Sequence, residues 1–212
     1  MRLLGMCVIM ALVCFSASAM AENKTGAKTG ELKSAIFAGG SFWSLEKAFE
    51  GVEGIHGVTT GYSGGKTLHP TYIEVSEGHT GHRQAIQIVY NPAKISYERL
   101  LNIYWRNIDP FDGQGQFCDR GDAYRPAIFV RGDEQNAIAQ KSKAEMEKRF
   151  GKAVATEILP ASAFYPAEDY HQNYADEHSL TYGLYRQGCG QDHQLTEIWG
   201  AESGGGMFLK PQ

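Results

Sequence analysis

Ala35-Ile36-Phe37-Ala38-Gly39-Gly40-Ser41-Phe42-Trp43-Ser44-Leu45-Glu46 is the stretch from which the fold is read. Its first residues form an apolar run that suits a buried strand, and the glycine pair lets the backbone turn tightly and leaves the next side chain unobstructed. A helix starts directly after the glycines, and its free N–H groups and the positive end of its dipole favour an anion. The position facing them suits a thiolate, yet it holds Ser41. Two readings of that serine stay open. Ser41 or Ser44 is a helix N-cap, or Ser41 marks a reactive position beside a small apolar pocket. Phe42 and Trp43 favour the pocket, because tryptophan is an unusual choice at the first turn of a short helix for capping alone.

Outward from this stretch, the chain of 212 residues is 42% hydrophobic and 21% charged, the profile of a soluble protein with one well-buried core and one domain. Met1 to Ala21 reads as a secretory signal peptide: Arg2, an apolar run from Leu3 to Phe15, and Ala17-Ser18-Ala19-Met20-Ala21 as the cleavage region. The expectation is an exported, periplasmic protein with no membrane attachment after cleavage. Losing Arg2 takes the formal net charge from -4 to -5, and no basic stripe points to nucleic acid. Cys7 and Cys14 leave with the leader, so Cys118 and Cys189 remain, either as a structural disulfide or as a redox pair.

Residues 22–33 read as a flexible lead-in, 34–200 as the folded domain and 201–212 as a tail. Gly51 to Tyr62 predicts a turn and a strand, with a glycine-rich loop after it through Pro70. Arg83 to Tyr90 is the clearest strand: Ile86, Ile88 and Tyr90 share one face, and Gln84 belongs to it. A polar side chain on a buried face needs a partner, so Gln84 is a satisfied core amide or part of a site opening there. Ser96 starts a helix through about Ile108. Phe111 to Arg125 is a loop carrying a thiol, carboxylates and a tyrosine. Ala127 to Val130 is a short strand, and Glu134 to Phe150 a scaffold helix with Ile138, Ser142, Met146 and Phe150 on one stripe. Ala153 to Leu159 is a further strand, Phe164 to Tyr174 surrounds a short helix, and the chain from Thr181 onward is short helical or irregular structure. The pattern predicts an α+β domain, a mixed or antiparallel sheet flanked by helices.

Three chemistries find weak support. Gly65-Lys66-Thr67 imitates a phosphate-binding loop but lacks the glycine that the motif needs at 60 and the helix after it. His79 and His82 have no further metal-ligand spacing around them and read as hydrogen-bonding loop residues. Ser41, His171 and Asp169 form a hydrolase set in composition only, since no nucleophile elbow is present.

A stronger indication comes from several short motifs taken together. They are Gly40-Ser41-Phe42-Trp43, Thr60-Gly61-Tyr62-Ser63-Gly64-Gly65, Pro70-Thr71-Tyr72-Ile73-Glu74-Val75, Thr80-Gly81-His82, Asp119-Arg120-Gly121 with Tyr124-Arg125-Pro126, and Phe164 to Gln172. Over roughly Lys33 to Gly200 the chain resembles the peptide methionine sulfoxide reductase A family. The resemblance implies a two-layer α/β sandwich and reduction of the S-epimer of methionine sulfoxide, free or in proteins, with no metal and no bound cofactor. In the family a cysteine thiolate attacks the sulfoxide sulfur, an acid protonates the departing oxygen, and a second cysteine captures the sulfenic acid as a disulfide for a thioredoxin-like reductant. Carried onto this chain, Phe42 and Trp43 hold the substrate methyl group, and Tyr72, Asp119 and Tyr124 bind and polarise the sulfoxide oxygen. Cys189 and Cys118 are the candidate resolving cysteines, and a monomer is the expected state.

Two departures fall on the chemistry. Ser41 stands at the position of the nucleophilic cysteine and Gln84 at that of the proton-donating glutamate. A hydroxyl is far less ionised than a thiol and forms neither a sulfenic acid nor a disulfide. The expectation is a chain that binds methionine sulfoxide and turns it over slowly or not at all. Either a natural reductase carries an engineered serine, or the chain is a diverged paralogue that binds without reducing.

Overall fold

The computed structural model describes residues 31–204. The expected signal peptide, most of the lead-in and the end of the tail lie outside them. In chain order the elements are β1 (Lys33–Ala38), α1 (Phe42–Phe49), β2 (Ile55–Ser63), α2 (Tyr72–Ser76), β3 (Arg83–Tyr90), α3 (Tyr97–Trp105), β4 (Gly115–Gln116), β5 (Asp119–Arg120), β6 (Ala127–Val130), α4 (Gly132–Phe150), β7 (Glu157–Pro160), β8 (Phe164–Pro166), α5 (Tyr174–Glu177), α6 (Ser179–Gly188) and α7 (Gln191–Trp199). Short 3-10 turns lie at Asp122–Tyr124, Asp169–His171 and Gly200–Glu202.

Six strands form one sheet in the order β7-β6-β1-β3-β2-β8, and β4 pairs only with β5. All pairs in the large sheet are antiparallel except β6 with β7, which makes it mixed. Register obeys side-chain parity. Phe37 stands opposite Ile86 on one side and Ile128 on the other, and this row faces the layer built from α1, α3 and α4. The opposite face carries Ile36, Ala38, Ala85, Ala127 and Phe129 beneath Leu159, Ala161 and Phe164. The result is the α+β sandwich expected from the sequence.

The helix layer is held by large rings. Phe37 stacks on Tyr104 with centroids 4.9 Å apart, and the Tyr104 hydroxyl donates to Ala38 O at 2.8 Å, fixing the end of β1. Burying one such side chain is worth about 1.5–3 kcal/mol. Trp105 donates its indole N–H to Ser142 Oγ at 2.7 Å, which gives the lone serine on the α4 stripe its partner.

Several boundaries differ from expectation. Helix α2 follows directly on the expected loop, in a segment to which the sequence reading gave no element; Thr71 and Glu74 form a capping box at its start, so the signal is present in the sequence but short. Phe164 to Pro166 is an edge strand, β8, paired with β2, and the short helix expected between Phe164 and Tyr174 is the 3-10 turn Asp169–His171. Helix α3 ends at Trp105 rather than Ile108. Two true helices, α6 and α7, occupy the C-terminal region, separated by Gly190 in the left-handed conformation. Ordered structure also runs past Gly200, since the Glu202 carboxylate is gripped by Arg149 and Arg106, which hold its pKa down at about 2.

Candidate functional site

The glycine turn after β1 places the start of α1 against three distant segments. Gly40 N donates to Tyr124 O at 3.0 Å, Ser41 N to Asp119 Oδ2 at 3.3 Å, and Phe42 N to Gln84 Oε1 at 3.2 Å. Trp43 N donates to Ser41 Oγ at 3.3 Å. The N-cap reading of Ser41 is therefore correct in structure, and it holds at the same place as the pocket reading. Gln84, 1% exposed, is both a satisfied core amide and a member of the site. Gly40 has φ +74, and a Cβ there would lie 2.8 Å from Gln116 Cβ. Gly40→Ala is expected to lower the unfolding free energy by about 2 kcal/mol through backbone strain and this contact, read as a lower denaturant midpoint with unchanged slope.

Aromatic side chains wall the site. Phe42 lies 6.3 Å from Tyr72, 5.9 Å from Tyr62 and 5.1 Å from His171 between ring centroids. Trp43 stacks on Tyr174 at 3.9 Å with the planes 9° apart and meets Tyr185 edge-on at 6.0 Å. Its indole N–H donates to His171 Nδ1 at 3.3 Å. Glu168 accepts from the Tyr62 hydroxyl at 2.7 Å and from Tyr72 N at 2.9 Å, tying β2 to α2. Tyr72 and Asp119 both lie close enough to Tyr124 to act on its hydroxyl. Tyr62, Glu168, Tyr174 and Tyr185 join the site without having been expected there. Glu168 lies within the Phe164 to Gln172 motif and was findable from it; Tyr185 carries no local signal, because α6 brings it from far along the chain.

Burial sets the protonation of these groups. It pushes the Asp119 carboxyl above its ordinary value, against the Tyr185 hydroxyl and Ser41 N–H that stabilise the anion. It raises the Tyr124 phenol, with Tyr72 beside it adding to the effect, and raises Tyr185, where the Asp119 charge acts in the same direction. It lowers His171, leaving a neutral imidazole to accept from Trp43. The arrangement sets hydroxyl groups beside a partly desolvated carboxyl, a polar setting in an otherwise aromatic pocket that suits a ligand oxygen.

The histidines of the competing readings have partners of their own. His82 spends both ring nitrogens on the loop, Nδ1 accepting from Gly65 N at 3.1 Å and Nε2 contacting Thr67 O at 2.8 Å. His171 faces the Trp43 indole while Ser41 Oγ caps α1, so neither is arranged as a nucleophile–base pair. Cys118 and Cys189 are bonded to one another, with Cα atoms 4.9 Å apart. The two cysteines that the sequence offered as a structural disulfide or a redox pair are therefore within bonding reach and joined.

Fold and site together define a class: a two-layer sandwich with an aromatic, hydroxyl-lined pocket at a helix N-terminus after a double-glycine turn. The profile of the peptide methionine sulfoxide reductase family matches residues 33–203, and the chain belongs to that family. It is 45% identical over 192 residues to peptide methionine sulfoxide reductase MsrA 2 of Caulobacter vibrioides, covering 90% of this chain and 94% of that one. Against the MsrA of Bacillus licheniformis it is 48% identical, covering 78% and 93%. Among solved structures, reduced Mxr1 of Saccharomyces cerevisiae superposes with a TM-score of 0.67 at 30% identity, covering 70% of this chain and 87% of that one. Methionine sulfoxide reductase A of Corynebacterium diphtheriae gives 0.63 at 29%, covering 73% and 78%.

Proposed function

We propose that this chain works in peptide-methionine (S)-S-oxide reduction, with the binding half of the site complete and the turnover half altered. The observation that carries this reading is the convergence of Phe42 and Trp43 with Tyr72, Asp119 and Tyr124 around a helix start whose reactive position is Ser41. The apolar walls receive the S-methyl group, and Tyr72, Tyr124 and Asp119 bind and polarise the sulfoxide oxygen. Ser41 supplies no thiolate, and Gln84, which accepts from Phe42 N, has no acidic proton to deliver. Chemistry at position 41 is therefore slow or absent, which also supports the second reading, a binder of oxidised methionine.

Titration of N-acetyl-methionine (S)-sulfoxide methyl ester into the chain under dithiothreitol tests this. Saturable binding without comparable methionine formation is the expected result; turnover at the rate of an ordinary family member would overturn the altered-turnover reading. Trp43→Ala is expected to weaken binding about tenfold, since one indole covers the methyl group and anchors Tyr174. The signal-like leader supports export to the periplasm, where a thioredoxin-like dithiol is the reductant this proposal implies. A monomer remains part of the same reading.

A further inference from the structure

Helices α6 and α7 lie across the groups assigned to the ligand. Tyr185 of α6 donates its hydroxyl to Asp119 and sets its ring edge against Trp43. Tyr182 contacts Ser44 Oγ at 3.5 Å, and that same hydroxyl donates to Gln191 Oε1 of α7 at 2.9 Å. Ser41 beneath them is 7% exposed. At the far end of α6, Cys189 forms the C-cap, half-buried against the core, and its sulfur is joined to Cys118 across 71 residues of sequence. Cys118 is exposed at the tip of the two-residue hairpin between β4 and β5, beside Phe117 at φ 55. A bulky residue in the left-handed region is conformationally strained, and Asp119 is the next residue after the bridge. The disulfide therefore fastens the covering helix to the loop that carries a ligand-binding carboxyl.

We propose that Cys118 and Cys189 form a reversible thiol–disulfide site that governs whether the pocket admits its ligand. This rests on the sulfoxide-binding reading above. In the oxidised form α6 is held down, and Tyr185 occupies Asp119 and the edge of Trp43. In the reduced form the helix and the hairpin separate, and both groups become available. Because Ser41 forms no sulfenic acid, the pair has no such product to capture, and control of access is the role its position leaves.

Opening requires a dithiol. Its thiolate attacks the exposed Cys118 sulfur, the Cys118–Cys189 bond breaks, and Cys189 departs as a thiolate that takes up a proton. The second thiol of the reductant then attacks the mixed disulfide and releases Cys118. The reductant ends as a disulfide, and two electrons and two protons have passed to the pair.

The test is calorimetric titration of N-acetyl-methionine (S)-sulfoxide methyl ester into the full chain, oxidised with diamide or reduced with dithiothreitol. The reduced form is expected to bind about tenfold or more tightly than the oxidised form. Cys189→Ser, with Cys118→Ser as a second variant, is expected to bind like the reduced chain under both conditions. Near-UV circular dichroism establishes that each variant is folded. Equal affinity in both redox forms, or tighter binding by the oxidised form, overturns the latch and leaves the binding reading standing. Absence of binding by every form, the folded serine variants included, instead refutes the binding reading on which the latch depends.

Discussion

Ser41→Cys is expected to convert the chain into a methionine sulfoxide reductase, from a baseline at or near zero. The position lies at the N-terminus of α1, where Trp43 N already donates to the side chain at 41. Such N–H groups and the helix dipole favour the thiolate and lower a cysteine pKa. The thiolate then faces a sulfoxide held by Phe42 and Trp43, and its attack on sulfur generates a sulfenic acid as methionine leaves. The departing oxygen needs a proton, which Gln84 does not provide, so the single variant should be slow. Adding Gln84→Glu should raise the rate by about 10²–10⁴-fold, the usual worth of a positioned general acid. The carbonyl oxygen of Gln84 already accepts from Phe42 N, so a carboxyl fits without moving the backbone. Gln84→Glu alone should gain nothing. The assay is methionine release under dithiothreitol by all four proteins. Should the double variant bind ligand and remain inert, the pocket is that of a settled binding protein.

What made this testable from sequence was parity and spacing. Alternation along Arg83 to Tyr90 put Gln84 on the apolar face, and in the structure that face meets the first turn of α1. The apolar run, glycine pair and aromatic pair gave β1, the turn and α1 in their correct order, because each is specified by neighbours in sequence. The rest of the site is built by distant segments. Trp43 reaches His171 across 128 residues, and Tyr185 reaches Asp119 across 66. Neither pairing can be had from local preference, and the three-residue edge strand β8 is defined only by its pairing with β2. The bond between Cys118 and Cys189 was open for the same reason: two cysteines in a chain state a possibility, and only the packing of α6 on the β4–β5 hairpin decides it.

Glu46 was also illegible, since a glutamate on a short helix reads as a solvated charge, and it yields the largest expected effect on stability. It lies one turn beyond Phe42 and Trp43, is 1% exposed, and neither carboxyl oxygen has a hydrogen-bond partner among the described residues. Burial raises its pKa to about 7; the Asn173 and Tyr174 N–H groups facing it pull the value down without closing a hydrogen bond, and Glu50 and Asp176 push it up. A carboxyl whose folded pKa exceeds its ordinary 4.5 stabilises the fold while protonated. That contribution is complete below about pH 4.5, declines as pH rises towards 7, and is gone above it, amounting to about 3 kcal/mol over the window. Glu46→Gln keeps the shape and removes the ionisation, so the variant should be the more stable protein at pH 8 and nearly matched to the original at pH 4.5. Asp119, raised by burial, and His171, lowered by it, titrate in both proteins, so their contributions cancel in the difference. Urea unfolding of both proteins from pH 4.5 to 8 measures that difference directly, and a curve flat in pH would show that the Glu46 carboxyl is relieved by its surroundings.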